Sequence, residues 1–231
     1  MSQRLTEIGQ RWAQIHERIA AAAQHVGRSE SDLSTIAVTK TFPPSDIEHL
    51  IELGFRDIGE NRVAELQQKT SQQYSEPIRW HMLGQLQTNK VNHAVATGAV
   101  IHSCDRPRLV NALARAGQNH GREVEVLIQV RLDADPKRGG VDAAAVGELA
   151  DLIGASEPLK LRGVMAMAPL HGDPAPAFAR LEAASQRLVA DHPDATWISA
   201  GMSADFETAI EYGATHLRLG RGLLGSRPDL G

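Results

Sequence analysis

Strand-like apolar runs alternate with amphipathic segments along almost the whole chain. The strand-like runs lie at 35–39, 57–59, 80–83, 100–102, 124–132, 161–167, 196–199 and 216–219. Apolar residues at helical spacing follow most of these runs, and helices are therefore predicted at 47–53, 63–74, 91–96, 107–116, 141–153, 177–189 and 204–212. An amphipathic segment at 4–25 precedes the first strand and predicts an additional helix.

The order of these elements indicates the fold class. Strands that alternate with helices are expected to be parallel and joined by right-handed crossovers. Eight such units in about 200 residues fit an α/β fold of the (β/α)8 barrel type, with an extra N-terminal helix. A doubly wound open sheet is the alternative, because periodicity alone does not show closure. No Pro/Gly/Ser-rich linker divides the chain, so one domain over residues 1–231 is expected.

Composition and charge exclude several classes of function. The chain has a net charge of -4 and no basic run, which argues against a nucleic-acid partner. Its N-terminus lacks the apolar core of a signal peptide, and no apolar run approaches the length of a membrane span, so a cytoplasmic protein is expected. The single cysteine, Cys104, rules out a disulfide framework. The 10 histidines show no metal-binding spacing, so no metal site is expected.

The first candidate for chemistry is Lys40, which follows the apolar run Ile36–Val38. Pro43 and Pro44 then prevent the strand from continuing. Lys40 is therefore predicted at the carboxyl end of a buried parallel strand, where barrels of this type place their active groups. The alternative is an ordinary solvated lysine at the end of a strand.

The loops after the seventh and eighth strands are the second candidate. They contain Gly201-Met202-Ser203 and Gly220-Arg221-Gly222. Barrels commonly bind phosphate in these two loops, and glycine lets the backbone approach an oxyanion closely. Glycine and serine are also ordinary turn and cap residues, but two such loops at the two expected positions favour a phosphate site.

Polar residues on the strands complete the candidate set. Alternation along the last strand places Arg218 inside the barrel, where it needs either an acidic partner or a ligand. Glu60 either pairs with a nearby Lys or Arg or belongs to the site. His81 and His102 are interpreted as histidines satisfied within the core. The charged glycine loop at 133–140 is either a solvated turn or a lid.

Taken together, several segments resemble the pyridoxal 5′-phosphate homeostasis family. The matching motifs occur in the family's order over nearly the whole chain. They are Ala37-Val38-Thr39-Lys40, Gly59-Glu60-Asn61, Trp80–Gly84, Leu86–Lys90, His102-Ser103, Leu161–Met165, Gly201–Asp205 and Arg218–Gly220. Any one motif is weak evidence for the family, but the ordered set is specific to it.

The resemblance implies a fold, a cofactor and a set of binding residues. It implies a barrel similar to the N-terminal domain of bacterial alanine racemase, in which Lys40 forms an internal aldimine with pyridoxal 5′-phosphate. It further implies the following cofactor-binding residues around Lys40: Asn61 near the ring, Arg218 facing the pyridine nitrogen, and Met202, Ser203, Gly220 and the Arg221 backbone at the phosphate. The chain departs from the family pattern at Gln85, Arg221 and Ala168–Leu170.

The function implied is that of a cofactor protein without robust catalysis. Such a protein binds and buffers pyridoxal phosphate and delivers it to apoenzymes, and a monomer is expected. Arginine opposite the pyridine nitrogen favours an unprotonated ring, which is a weaker electron sink. An amino-acid racemase is the alternative, but it needs a second acid or base, and neither Tyr74 nor Tyr212 is predicted at the barrel mouth. A third possibility is a phosphate-binding barrel in which Lys40 is dispensable.

Overall fold

The computed structural model describes residues 2–133 and 138–226, and its centre is a closed barrel of eight parallel strands. The strands are β1 (Ser34–Val38), β2 (Asp57–Glu60), β3 (Arg79–Met82), β4 (Val100–Cys104), β5 (Val124–Gln129), β6 (Leu159–Met165), β7 (Trp197–Ser199) and β8 (His216–Leu219). Neighbours in the barrel are also neighbours in the chain, and β1 pairs with β8 through Ile36 and Arg218. The predicted barrel is confirmed, and the open sheet is wrong.

Nine helices surround the barrel in the described part of the chain. They are α1 (Gln3–His25), α2 (Ser45–Glu52), α3 (Val63–Thr70), α4 (Val91–Ala96), α5 (Pro107–His120), α6 (Val146–Gly154), α7 (Ala175–Asp191), α8 (Phe206–Glu211) and α9 (Arg221–Leu224). The extra N-terminal helix α1 packs against α2, α8 and α9. Among the helices described, none combines the length and apolarity needed to cross a membrane.

Side-chain alternation divides the strands between an apolar outer layer and a mixed interior. Outward residues such as Ile58 and Leu217 join the large core between barrel and helices. Inside the barrel, Val100, Leu127 and Met165 form a separate small apolar cluster. The interior also contains polar residues, and its buried polar members include His81, His102, Gln129, Ser199 and Arg218.

Several element boundaries differ from the sequence prediction. The helix predicted to stop at Ala116 continues to His120, because Gly117 is a packing residue rather than a stop. A Cβ atom at Gly117 would lie 2.7 Å from Pro158 Cγ, so glycine allows the helix to approach the residue that precedes β6 closely. The helix ends instead at Gly121, whose φ of 59° is left-handed.

The segment around the fifth strand also differs. The strand was expected to reach Leu132, but it ends at Gln129, and Val130 makes an isolated bridge with Val141. This bridge holds Val141 in an extended conformation, so α6 begins at Val146 rather than at Val141. The α9 helix was not predicted, because its four residues are too few to show a period.

Candidate cofactor site

Lys40 lies where expected, two residues beyond the end of β1 and at the barrel mouth, which is the carboxyl end of the strands. Its side chain is half-buried. The next residue, Thr41, has a φ of 68°, an uncommon conformation for a residue with a side chain. The Thr41 amide donates to Glu65 Oε2 at 2.8 Å, and the Phe42 amide donates to the Thr39 carbonyl at 2.9 Å. These bonds hold the turn that positions Lys40.

A buried ion pair supports the same segment from the helix layer. Lys69 Nζ donates to Glu60 Oε1 at 2.6 Å and to the Thr39 carbonyl at 2.7 Å. The Thr39 hydroxyl also donates to Glu60 Oε1, at 2.6 Å. Burial raises the pKa of Glu60, although Lys69 and Thr39 oppose that effect. Glu60 therefore pairs with a nearby lysine, one of its two expected roles, and its Oε2 has no hydrogen-bond partner among the described residues.

The loops after β7 and β8 meet at the mouth. The Gly222 amide donates to Ser203 Oγ at 3.2 Å, and the Met202 amide donates to Asp205 Oδ1 at 2.6 Å. A Cβ atom at Gly222 would lie 2.6 Å from Ser203 Oγ, so this approach requires glycine. The structure thus brings the two glycine loops together.

Gly220 and Arg221 form the turn from β8 into α9. The Gly220 carbonyl accepts from the Leu223 and Leu224 amides at 3.0 and 2.9 Å. A Cβ atom at Gly220 would lie 3.6 Å from Val38 Cβ, which places this turn beside the strand that leads to Lys40. The Arg221 side chain is exposed.

Arg218 is buried inside the barrel, as alternation predicted. Its Nη1 donates to Ser199 Oγ at 2.8 Å, and its Nη2 donates to the Ala166 carbonyl at 2.7 Å. Both acceptors are neutral, and within residues 2–133 and 138–226 Arg218 forms no ion pair, so its alternative role as half of a core ion pair is wrong for this part of the chain. Burial lowers the pKa of Arg218 to about 10, although the negative charge of Asp205 opposes that effect. A buried cation with neutral partners is costly, and an electron-rich ligand atom at the mouth would offset part of that cost.

Two of the interior histidines, His81 and His102, continue the hydrogen bonding from Ser199. His102 Nδ1 lies 3.0 Å from Ser199 Oγ, and His102 Nε2 lies 2.9 Å from His81 Nδ1. His81 Nε2 lies 2.8 Å from Asp57 Oδ1. The interpretation of both histidines as satisfied within the core is confirmed, but their link to Arg218 was missed. Alternation along each strand could have predicted that these side chains point into the barrel. It could not have predicted that they contact one another.

Asn61 follows β2 at the mouth, and its side chain makes no hydrogen bond within 2–133 and 138–226. It lines a cleft of about 280 Å³ together with Gln85, Gln87 and Lys90. Its backbone touches Gly84, where a Cβ atom would lie 2.1 Å from the Asn61 carbonyl oxygen. The structure therefore gives Asn61 space around its side chain but no fixed orientation by hydrogen bonding.

Both tyrosines lie on the helix side, after helix C-termini that lead back to the barrel base, the amino end of the strands. Tyr74 follows α3, and its hydroxyl donates to the Lys69 carbonyl at 3.1 Å. Burial raises the pKa of Tyr74 to about 12. Tyr212 follows α8. Cys104 is buried, and burial raises the pKa of its thiol to about 12, which suits a structural residue.

The charged loop after β5 is anchored on both sides. Arg138 donates to Asp133 at 2.7 Å and to the Ala168 carbonyl at 2.6 Å, and Gln129 Nε2 donates to the Arg138 carbonyl at 2.8 Å. The lid that was one interpretation of this loop falls on residues 134–137, which lie outside the described part of the chain.

Comparison with known proteins agrees with this geometry. The family model for the alanine racemase N-terminal domain matches residues 11–228. A pyridoxal phosphate homeostasis protein of Mycobacterium tuberculosis strain H37Rv is 37% identical, with 97% of this chain and 94% of that protein covered. Its counterpart in Escherichia coli strain K12 is 33% identical, with 96% and 98% covered. The chain belongs to the pyridoxal phosphate homeostasis protein family.

A solved structure of similar sequence extends the comparison to the fold. PipY of Synechococcus elongatus PCC7942, with PLP bound, superposes on this homeostasis-family barrel with a TM-score of 0.82. The two sequences are 32% identical, and the match covers 94% of this chain and 100% of PipY. The family resemblance inferred from the ordered motifs is therefore confirmed.

Proposed function

We propose that this protein binds pyridoxal phosphate at the barrel mouth, buffers it and delivers it to apoenzymes that require it. The observation that carries the proposal is Arg218, a buried cation with two neutral acceptors beside the paired glycine loops. The PLP-bound PipY structure, at 32% identity over nearly the full chain, supports the same choice of cofactor. The proposal includes a cytoplasmic monomer with one domain over residues 1–231.

The residues at the mouth fit the three parts of this cofactor. Lys40 supplies the amine that condenses with the aldehyde carbon, with loss of water. The phosphate fits the paired loops, where Met202, Ser203, Gly220 and the Arg221 backbone lie, and where Gly222 leaves the space that a side chain would fill. We assign Asn61 to the neighbourhood of the ring.

Arg218 determines how this site uses its ligand. Pyridoxal phosphate supplies an aldehyde that captures amines and a pyridine ring that withdraws electrons. Arginine only donates hydrogen bonds, so Arg218 directs an N–H group at the pyridine nitrogen and favours its unprotonated form. An unprotonated ring withdraws electrons more weakly, which suits binding and release better than catalysis.

Amino-acid racemisation is the second candidate, because the matching family model is that of an alanine racemase domain. A racemase needs an acid or base on each face of the substrate carbon. Tyr74 and Tyr212 both follow helix C-termini, and the Tyr74 hydroxyl is bonded to the Lys69 carbonyl. Their positions favour the carrier over the racemase.

Absorption spectroscopy tests the proposal directly. Purified protein mixed with pyridoxal phosphate is expected to show a visible band that borohydride removes. Lys40→Ala should lose this band, whereas the control Lys160→Ala, at the start of β6 and thus at the barrel base, should keep it. Absence of the band in the wild type would refute the cofactor, and fast interconversion of L- and D-alanine would favour the racemase.

Delivery to apoenzymes is tested with the loaded protein. Mixed with an apoenzyme that requires pyridoxal phosphate, it should restore that enzyme's activity while its own visible band declines. A dialysis membrane between the two proteins distinguishes transfer on contact from release into solution. Retention of the band under both arrangements would refute delivery.

A further inference from the structure

A continuous chain of hydrogen bonds crosses the barrel interior from base to mouth. We call Ser199, His102, His81 and Asp57 the relay. Its four links, starting from Arg218, measure 2.8, 3.0, 2.9 and 2.8 Å. The members come from β7, β4, β3 and β2, so only closure of the barrel brings them together.

When both histidines are neutral, the Asp57 carboxylate at one end fixes the direction of every hydrogen bond in the relay. Arg218 can only donate, so Ser199 Oγ accepts from Nη1, and the Ser199 hydroxyl donates to His102 Nδ1 when that nitrogen carries no proton. At the other end Asp57 accepts as a carboxylate, so His81 donates from Nε2. His102 must then carry its proton on Nε2 and donate to His81 Nδ1.

This assignment requires both histidines to be neutral and in the same tautomer. Burial lowers the pKa of His81 and lowers that of His102 well below its usual range, which agrees with the neutral form. Burial raises the pKa of Asp57, but the hydrogen bond from His81 and nearby positive charge more than compensate, so it is lowered overall. Asp57 is the partly exposed member, with 25% of its side chain accessible at the base.

Besides satisfying the hydrogen bonding of its own members, the relay polarises them. Each link polarises the next in the same direction, and such chains strengthen their members cooperatively in a low-dielectric interior. The negative end at Asp57 therefore makes Ser199 Oγ a better acceptor for Arg218. The relay thereby orients one arm of the guanidinium and leaves other N–H groups of the same plane for a ligand at the mouth.

We propose that Ser199, His102, His81 and Asp57 are positioning residues that fix and polarise Arg218 against the pyridine nitrogen of the bound cofactor. This inference rests on the proposed function, because it assigns Arg218 to that nitrogen. It predicts that His81, which contacts neither Arg218 nor the mouth, influences the affinity and the visible spectrum of the bound cofactor.

A double-mutant cycle separates the relay from a general effect on the core. Ser199→Ala and His81→Phe should each weaken binding of pyridoxal phosphate by about fivefold, roughly the effect of one hydrogen bond, and shift the visible band in the same direction. The double variant should be no worse than Ser199→Ala alone, because the relay is already broken there. Multiplied effects in the double variant, or an unchanged His81→Phe protein, would overturn the proposal.

His216→Phe is the matched control. His216 is also an interior histidine, stacked on Trp197 at 4.1 Å; it faces His81 and Asp57, but its hydrogen bond goes to Thr215 rather than to the relay. The variant should bind like the wild type, and an effect on affinity as large as that of His81→Phe would overturn the relay.

If His81→Phe fails to fold, Asp57→Asn serves as a second variant, because asparagine at the base retains an acceptor without the charge. It should shift the visible band in the same direction, and no shift would refute the proposal.

A second measurement needs no cofactor. Nitrogen NMR of the histidine rings near pH 7.5 should show His81 and His102 neutral with the proton on Nε2, and Ser199→Ala should shift the His102 Nδ1 signal. A cationic ring or the other tautomer would overturn the relay even if the cofactor binds. Correct tautomers in a protein that fails to bind pyridoxal phosphate would refute the proposed function and, with it, the role of the relay in positioning, while leaving the relay itself in place.

Discussion

Arg218 is a buried cation whose two hydrogen-bond partners, Ser199 Oγ and the Ala166 carbonyl, are both neutral. The planar guanidinium reaches both acceptors at once, which a lysine ammonium on a flexible stem does not reproduce. We therefore expect Arg218→Lys to retain the covalent link through Lys40 but to weaken cofactor binding by about tenfold, the equivalent of about 1.4 kcal/mol. Titration with pyridoxal phosphate measures the loss, and unchanged affinity would contradict the role of the guanidinium.

Gly222 is a second residue at which adding one side-chain atom is expected to change cofactor affinity. In Gly222→Ala the new Cβ atom would lie 2.6 Å from Ser203 Oγ and 2.9 Å from Ser203 Cβ, so the two glycine loops would have to separate. We expect cofactor affinity to fall by about tenfold, since overpacking costs about 1–3 kcal/mol. Gly147→Ala in α6 is the control, because its Cβ atom would meet nothing within 4 Å. Equal affinities of the two variants would contradict the assignment of the loops.

At the scale of elements, the pair between Glu60 of β2 and Lys69 of α3 ties strand and helix to the segment that carries Lys40. Lys69→Met leaves the Glu60 carboxylate buried and unpaired, so we expect the free energy of unfolding to fall by about 3–5 kcal/mol. Adding Glu60→Gln removes the unpaired charge and should restore a large part of the loss. Urea denaturation of both variants measures this, and a full loss in the double variant would contradict it.

The elements also show what the sequence could and could not predict. All eight strands were predicted: β1 and β5 carry apolar runs, and the alternation of strand-like and helical segments located the shorter strands. Helix ends were less predictable, since Gly117 serves packing against Pro158 and the bridge from Val130 to Val141 delays α6. Both depend on contacts between segments distant in the chain, which a local pattern does not contain.

The candidate site likewise contains residues that could be predicted from the sequence and residues that could not. Lys40, Ser203, Gly220 and Arg218 were predictable from their positions at strand ends and from alternation. The partner of Glu60 was not predictable, because Lys69 is buried and lysine side chains are rarely buried. The relay could not be predicted from the sequence either, because it depends on distances between side chains on four strands.

At the scale of the whole molecule, the polar barrel interior makes stability depend on pH. Burial lowers the pKa of His216 to about 3, and the groups that face it are His81, Asp57, Arg79 and Arg218. Below its unfolded value of about 6.5, the unfolded chain binds a proton at this residue that the folded protein does not. The folded state is therefore destabilised as pH falls from about 6.5 to about 3.

The expected contribution of His216 is about 1.4 kcal/mol of unfolding free energy per pH unit within that window. His216→Phe removes this group but keeps a ring against Trp197, so its stability should fall less steeply with acidification. Urea denaturation of both proteins between about pH 6.5 and 5 measures how steeply the free energy of unfolding depends on pH. This window lies above the pH at which most carboxyl groups titrate. Parallel slopes would show that His216 is not kept neutral in the folded protein.

Closure through β1 and β8 determines how another protein can approach this one. A closed barrel has no first or last strand, so its backbone offers no unpaired edge to which a partner could add a strand. If an apoenzyme collects the cofactor by contact, as we propose, it would have to recognise side chains on helices or loops. Because Lys40 and the two glycine loops lie at one end, such an encounter is confined to a single pole of the molecule.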